Sequence, residues 1–215
     1  MTFAAEARAK LSVMSHTDAV AAPKRGRPGI SRQVVLDAAV AAFIEYGYDA
    51  TSMGLLSSRL GLSKAAIYHH FPAKVELLRA ALDEALGGLE GVLRQEDALG
   101  GSPEQRLAFV MRGAVHVLIE KLPYVTLLLR VRGNSEVERE ALTRRREFDR
   151  AVTALVVEAR NEGSVRSDID ASVVTRLIFG MINSIVEWYR PEGPESADQL
   201  ASDVLAMALE GLSAS

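Results

Sequence analysis

The sequence contains no cysteine. That absence excludes a disulfide framework, a thiol nucleophile and any zinc or iron–sulfur site with cysteine ligands, and it fits a reducing, cytoplasmic location. Aromatic residues are few, at 6% of 215. No run reaches the roughly 18 apolar residues that a bilayer-spanning helix needs, so no membrane partner is expected. The most apolar stretch, 173–189, is interrupted by Thr175, Arg176, Asn183, Ser184 and Glu187. The N-terminal stretch carries Glu6, Arg8 and Lys10 and lacks the apolar core of a signal peptide. Phosphate-cradling glycine loops, metal-ligand clusters and nucleophile elbows are missing too, so the sequence points to no enzyme, no cofactor and no metal.

What is present is an ordinary globular composition, 48% hydrophobic and 25% charged with a net charge of −3. The near-neutral total hides an asymmetry. Residues 1–79 hold 10 Lys/Arg against 6 Asp/Glu, whereas residues 80–215 hold 15 against 22. A basic front on an acidic body suggests an anionic partner for the N-terminal part, nucleic acid above all.

The periodicity predicts helices throughout, with no strand alternation bounded by turns. Residues 1–28 read as a tail without packed structure, ending in Lys24-Arg25-Gly26-Arg27-Pro28, and Met14 offers a second start position. Ser31 is expected to cap a first helix carrying Val34, Val35, Ala38, Ala42, Phe43 and Tyr46, stopped by Gly47 in a left-handed C-cap. Thr51 or Ser52 caps a short second helix with Met53, Leu56 and Leu60 inside. Ser63 caps a third, through about His70, with Ala66, Ile67 and Phe71 as packing residues. Two short helices joined by Leu60-Gly61-Leu62-Ser63 make a helix-turn-helix pattern. A long helix follows from Pro72 to about Gln95, then helices near 103–120, 123–131, 135–162, 170–189 and 196–212.

The segments Gly47-Tyr48-Asp49-Ala50-Thr51-Ser52-Met53, Leu60-Gly61-Leu62-Ser63 and Ile67-Tyr68-His69-His70-Phe71, with Lys74 and Glu76-Leu77-Leu78, resemble the DNA-binding domain of the TetR family of transcriptional regulators. The resemblance covers about 45 residues, and its features stand in the family's order. It implies an all-α protein, with residues 29–76 expected as a three-helix DNA-binding domain and 77–215 as a larger helical domain for ligand binding and dimerisation. A recognition helix touches base edges with residues near its N-terminus. Ser63, Lys64, Ala65, Tyr68 and His69 are therefore the candidates, with Thr51 and Ser52 on the preceding helix. Lys74 matches the family's phosphate-clamping lysine. Gly54 and Ser57 depart from the family's pattern. Arg25 and Arg27 resemble the core of an AT-hook, and they read either as a minor-groove arm or as a basic tail that attracts phosphates unspecifically.

In the body, two late helices are apolar on more than one face, and each face must be buried. Val174, Ile178, Met181, Ile185, Leu200, Val204, Leu205 and Ala208 are assigned to a homodimer interface, since resembling proteins pair their last two helices, and Gly180 allows close approach. Ile185-Val186-Glu187-Trp188-Tyr189-Arg190-Pro191 looks like the matching segment of TetR regulators that respond to acyl-CoA thioesters. Effector contacts are assigned to His116, Arg130, Arg146, Asn183 and Trp188. The arginine runs read either as partners for CoA phosphates or as solvated faces pairing with Glu136, Glu138, Glu140 and Glu147. The expected protein is a ligand-responsive repressor whose partners are double-stranded DNA, a second copy and a small molecule. The alternative is an architectural DNA-binding protein without an effector, against which the size of the body argues.

Overall fold

The computed structural model describes residues 31–212, which form one compact unit. Among the described residues there are ten helices and no strand. They are α1 (Arg32–Tyr46), α2 (Met53–Leu60), α3 (Lys64–His70), α4 (Lys74–Leu93), α5 (Glu96–Leu99), α6 (Pro103–Glu120), α7 (Leu122–Arg130), α8 (Glu136–Asn161), α9 (Ala171–Trp188) and α10 (Ala197–Leu212). The all-α expectation is met, and helix bounds from 103 onward fall within a residue or two of those read from the sequence.

Local chemistry sets the ends. The hydroxyls of Ser31, Ser52 and Ser63 each accept an orphan backbone N–H, from Val34, Leu55 and Ala66. Ser102 and Gln105 form a reciprocal capping box ahead of α6, with Pro103 at its first position. Gly61 stops α2 in the left-handed region (φ 63, ψ 31), where a β-carbon would be strained. Gly47 also has positive φ, but its ψ of 154 is extended, so it leaves α1 by a route other than the left-handed cap expected. The helix expected to reach Gln95 stops at Leu93, and the one-turn α5 follows.

The small α1–α3 cluster closes over Val35, Leu36, Phe43, Leu56, Ile67 and Phe71, all buried. Val34 and Tyr46, which share α1's apolar spacing, are instead exposed. α4 runs from this cluster into the body and packs on α1, α6, α7 and α8. α6 is the body's central helix, against α4, α8, α9 and α10. α7 lies between the two regions, in contact with α1 and α4 on one side and α9 on the other. Glu138, expected to pair with an arginine, is buried and accepts the N–H groups of Gly133 and Asn134 at 2.8 and 2.6 Å, pinning the turn before α8.

Candidate nucleic-acid interface and effector cavity

α3 is amphipathic in a strict way. Ile67 is fully buried, and Phe71 just beyond the helix is held under the Arg32 guanidinium at 4.3 Å. Ser63, Lys64, Ala65, Tyr68 and His69 are all exposed, and of these Ala65, Tyr68 and His69 are turned away from Ile67 by their helical spacing. Of the pair on α2's approach, Ser52 is exposed with its hydroxyl engaged as the cap. Thr51 is buried. Its hydroxyl lies 2.8 Å from the carbonyl of Gly47 and 3.3 Å from that of Ala42, so it braces the α1–α2 turn from inside and has no access to a phosphate. Arg25 and Arg27 lie outside the described residues.

Lys74 opens α4, and its ammonium donates to the carbonyl of Tyr48 at 2.8 Å and to that of Asp49 at 3.4 Å, resting 4.2 Å from the Tyr48 ring centre. It ties the start of α4 to the turn ahead of α2. An ammonium has three protons, so one stays available to an anion at this edge. Burial pushes the Tyr48 phenol up from its ordinary range, keeping it neutral beside the lysine.

The second site is a cavity of about 30 Å³ where α4, α6, α7, α8 and α9 meet. Leu89, Leu118, Val125, Leu128 and Ile182 give it apolar walls, and Phe148 and Phe179 meet edge to face at 5.3 Å. Its polar lining comes from α8 and α9 alone, as Arg145, Asp149 and Asn183. Burial raises the Asp149 carboxyl above the usual carboxylate range, against the opposing pull of Arg145 and Arg176. A volume of this size holds a water or two, so any larger guest must part the helices.

Of the expected effector contacts, Asn183 alone lines this cavity. His116 turns to α10, its Nε2 3.3 Å from an Asp198 oxygen. Arg130 donates to the carbonyl of Ile44 on α1 at 2.7 Å. Arg146 and Trp188 are exposed. Arg145 belongs to the arginine run weighed from the sequence as a partner for CoA phosphates, but the contact was assigned to Arg146, and Asp149, one helical turn after Arg145 on α8, was missed. Their spacing is a usable signal, but the same helix offers Arg146 and Arg150 at that spacing one step round. Only the packing selects the inward pair.

The interface assignment is corrected in the same sense. Val174, Ile178, Ile185, Leu200, Val204, Leu205 and Ala208 are buried in the chain's own core, and Met181 is half-buried. The outward apolar side chains are their neighbours, Val173, Leu177 (64% exposed), Trp188 and Met207 (70%). Gly180 is on this outer side, with open space where a β-carbon would stand.

Two sets of polar contacts tie cavity-lining helices to their neighbours. On the α1 side, the Tyr124 hydroxyl at the start of α7 donates to Asp37, and Gln33 donates to both Tyr124 Oη at 2.7 Å and Asp37 Oδ1 at 2.9 Å. With Arg130 at its other end, α7 is held to α1 at two points. On the α8 side, Arg144 forms a bidentate pair with Glu90 at 2.7 and 3.0 Å and reaches Asp83 at 2.5 Å, joining α8 to α4.

Residues 35–81 match the model of bacterial regulatory proteins of the tetR family, and residues 100–212 match the tetracyclin repressor-like C-terminal domain. A 192-residue alignment, 26% identical and covering 88% of this chain and 94% of the relative, joins it to the HTH-type transcriptional repressor KstR2 of Mycolicibacterium smegmatis. The solved structure of SCO3833, a TetR regulator family member from Streptomyces coelicolor A3, is 50% identical, with a TM-score of 0.79 over 87% of this chain and 93% of that one. AibR, solved in complex with isovaleryl coenzyme A and operator DNA, shares the fold at 22% identity and a TM-score of 0.69, over 82% of this chain and 96% of that one.

Proposed function

The chain belongs to the TetR family of transcriptional regulators, and on that premise we propose that it is a repressor that grips a palindromic operator as a homodimer and lets go when a small molecule enters its body. Residues 29–76 do the reading and 77–215 the sensing and pairing. The observation that carries the reading is the run of exposed side chains along α3, Ser63, Lys64, Ala65, Tyr68 and His69, together with exposed Ser52 and the Lys74 ammonium. A second helix presented in this way enters the major groove, while the helix before it crosses the backbone. Arg25 and Arg27 add positive charge just ahead of α1. Repression is supported by the name of the KstR2 relative, a transcriptional repressor. The bacterial cytoplasm, where the operator is, is its place of work.

A second copy is needed because one head reads one half-site. The outward row Val173, Leu177, Gly180 and Trp188 on α9, with Met207 on α10, supplies an apolar surface for it. The effector is amphipathic. Its apolar part displaces the walls around Leu118 and Phe148, and its polar group meets Arg145, Asp149 or Asn183. An acyl-CoA thioester has that chemistry, and AibR, of the same fold, carries one. Entry pushes on α7, which is tied to α1 by Tyr124 and Arg130, so sensing and reading are linked.

Fluorescence anisotropy tests this with the DNA upstream of the chain's own gene against a scrambled duplex, with and without a panel of acyl-CoAs. Selective binding relieved by one thioester is expected. Lys74→Ala should weaken binding to all sequences alike and reduce the salt slope by about 1. Selective binding that no thioester relieves overturns the effector class. Equal, salt-sensitive binding to both duplexes favours an architectural protein.

A further inference from the structure

Lys64 opens α3 and is exposed, but its side chain does not stand off the helix. It lies back across α2, over Gly54. A β-carbon at position 54 would sit 3.3 Å from Lys64 Cε, 3.5 Å from Lys64 Nζ and 3.5 Å from Ser52 Oγ. Among the described residues, nothing accepts a hydrogen bond from this ammonium. The path it takes is open because residue 54 has no side chain. Glycine at this place is a cost to α2, where alanine is the better helix former, and neither backbone strain nor a turn calls for it, since no positive φ occurs there.

We propose that Gly54 is a specificity-determining position that acts through Lys64. This rests on the DNA-reading role of α2 and α3 argued above. In a helix-turn-helix the first helix crosses the phosphate backbone while the second faces the bases. A Lys64 ammonium laid over α2 is therefore brought to phosphate oxygens, where it adds affinity and carries no sequence information. A side chain at position 54 occupies that path and turns Lys64 outward. There it meets base edges, the O6 and N7 acceptors of guanine being its best partners. The same lysine serves as a phosphate contact or as a base reader according to the size of residue 54. Gly54 is thus a positioning residue and need not touch DNA.

The test is selection of binding sites from a random duplex library by the full chain, as wild type, Lys64→Ala, Gly54→Ala, Gly54→Gln and the double variant of Lys64→Ala with Gly54→Gln. Wild type and Lys64→Ala should select the same sequence, with the variant's salt slope shallower by about 1. Gly54→Gln should acquire a preference of about tenfold for guanine at one position of each half-site. Gly54→Ala, whose β-carbon asks Lys64 Cε to give by only a few tenths of an ångström, should show a smaller shift in the same direction. The double variant should return to the wild-type sequence, because the acquired preference belongs to Lys64. An unchanged selection by Gly54→Gln overturns the proposal. So does a new preference that survives in the double variant, which would be the glutamine's own. If wild type selects no sequence, the DNA-reading role itself fails, and that is visible before any variant is compared.

Discussion

The α1–α3 cluster and the helices around the cavity use their polar residues in opposite directions. In α1–α3 the hydroxyls of Ser31, Ser52 and Ser63 fix helix starts, the core is a few large apolar side chains, and the charged and aromatic groups of α3 point to solvent. Around the cavity, Arg145, Asp149 and Asn183 point inward among leucines and phenylalanines. The first arrangement is complete before any partner arrives. The second leaves a space of about 30 Å³, and a guest larger than a water or two must widen it. A surface that reads a large rigid ligand gains from being preorganised. A sensor whose site opened at no cost would transmit nothing, since a ligand shifts an equilibrium only by its differential affinity for the two states.

The contrast breaks or holds on a pair of substitutions. Phe148 is buried on the cavity wall against Phe179, and Phe148→Ala should lower the unfolding free energy by about 3–5 kcal/mol. Tyr68 is about half exposed on α3, at 46%, and Tyr68→Ala should change stability by less than about 0.5 kcal/mol while weakening DNA binding. Urea unfolding and anisotropy on both variants decide it. Equal stability losses would mean that the reading face is as much a part of the core as the cavity wall.

The same contrast explains which parts were legible. Helix starts are written in single residues, a serine ahead of an apolar period, and the outward row of α3 follows from the spacing around Ile67 and Phe71 within seven residues. Thr51 defeated that logic because serine and threonine hydroxyls serve equally as caps, phosphate contacts and internal braces. Here the carbonyls of Ala42 and Gly47 come close enough to claim it. The cavity lining draws on five helices spread from Leu89 to Asn183, and periodicity along one helix does not say which neighbour each stripe meets. α9 is the clear case. Apolar on two sides, it offers Ile178 and Leu177 with equal hydrophobic claim, and only the packing of α9 on α6 and α8 sends Ile178 inward and leaves Leu177 out.

Tyr124 joins the two regions, and removing its hydroxyl sharpens how tightly they are joined. Burial, then the hydrogen bond to Asp37, pushes this phenol well above its ordinary range, so it remains a donor across neutral pH. Tyr124→Phe should cost about 1 kcal/mol of stability, at the low end because Asp37 is exposed and can return to water. A cycle with Asp37→Ala should recover most of that as coupling. Anisotropy should show unchanged operator affinity without effector and weaker release with it. If release is unaltered, the link runs through α4 alone.

The smallest effect is expected at the seam that joins α8 to α4 through Arg144. The hydrogen bond from Arg144 holds the Glu90 carboxyl below its usual range. A carboxylate depressed in the folded state contributes stability above its unfolded pKa of about 4.3, and loses it as pH falls through the lower folded value. Arg144→Met should therefore cost under about 1 kcal/mol at pH 7, with the difference from wild type shrinking as pH drops below about 5. Asp149 runs the other way. Its carboxyl is raised by burial, so the folded state takes up that proton more readily and gains stability as pH falls through the raised value. Arg144→Met leaves Asp149 in place, so subtracting the two stability curves measured from pH 7 to pH 3 cancels the interior term and isolates the seam. A difference that persists undiminished to pH 3 would mean that Arg144 stabilises by packing its stem on α4. The ion pair would then have no part in joining α8 to α4.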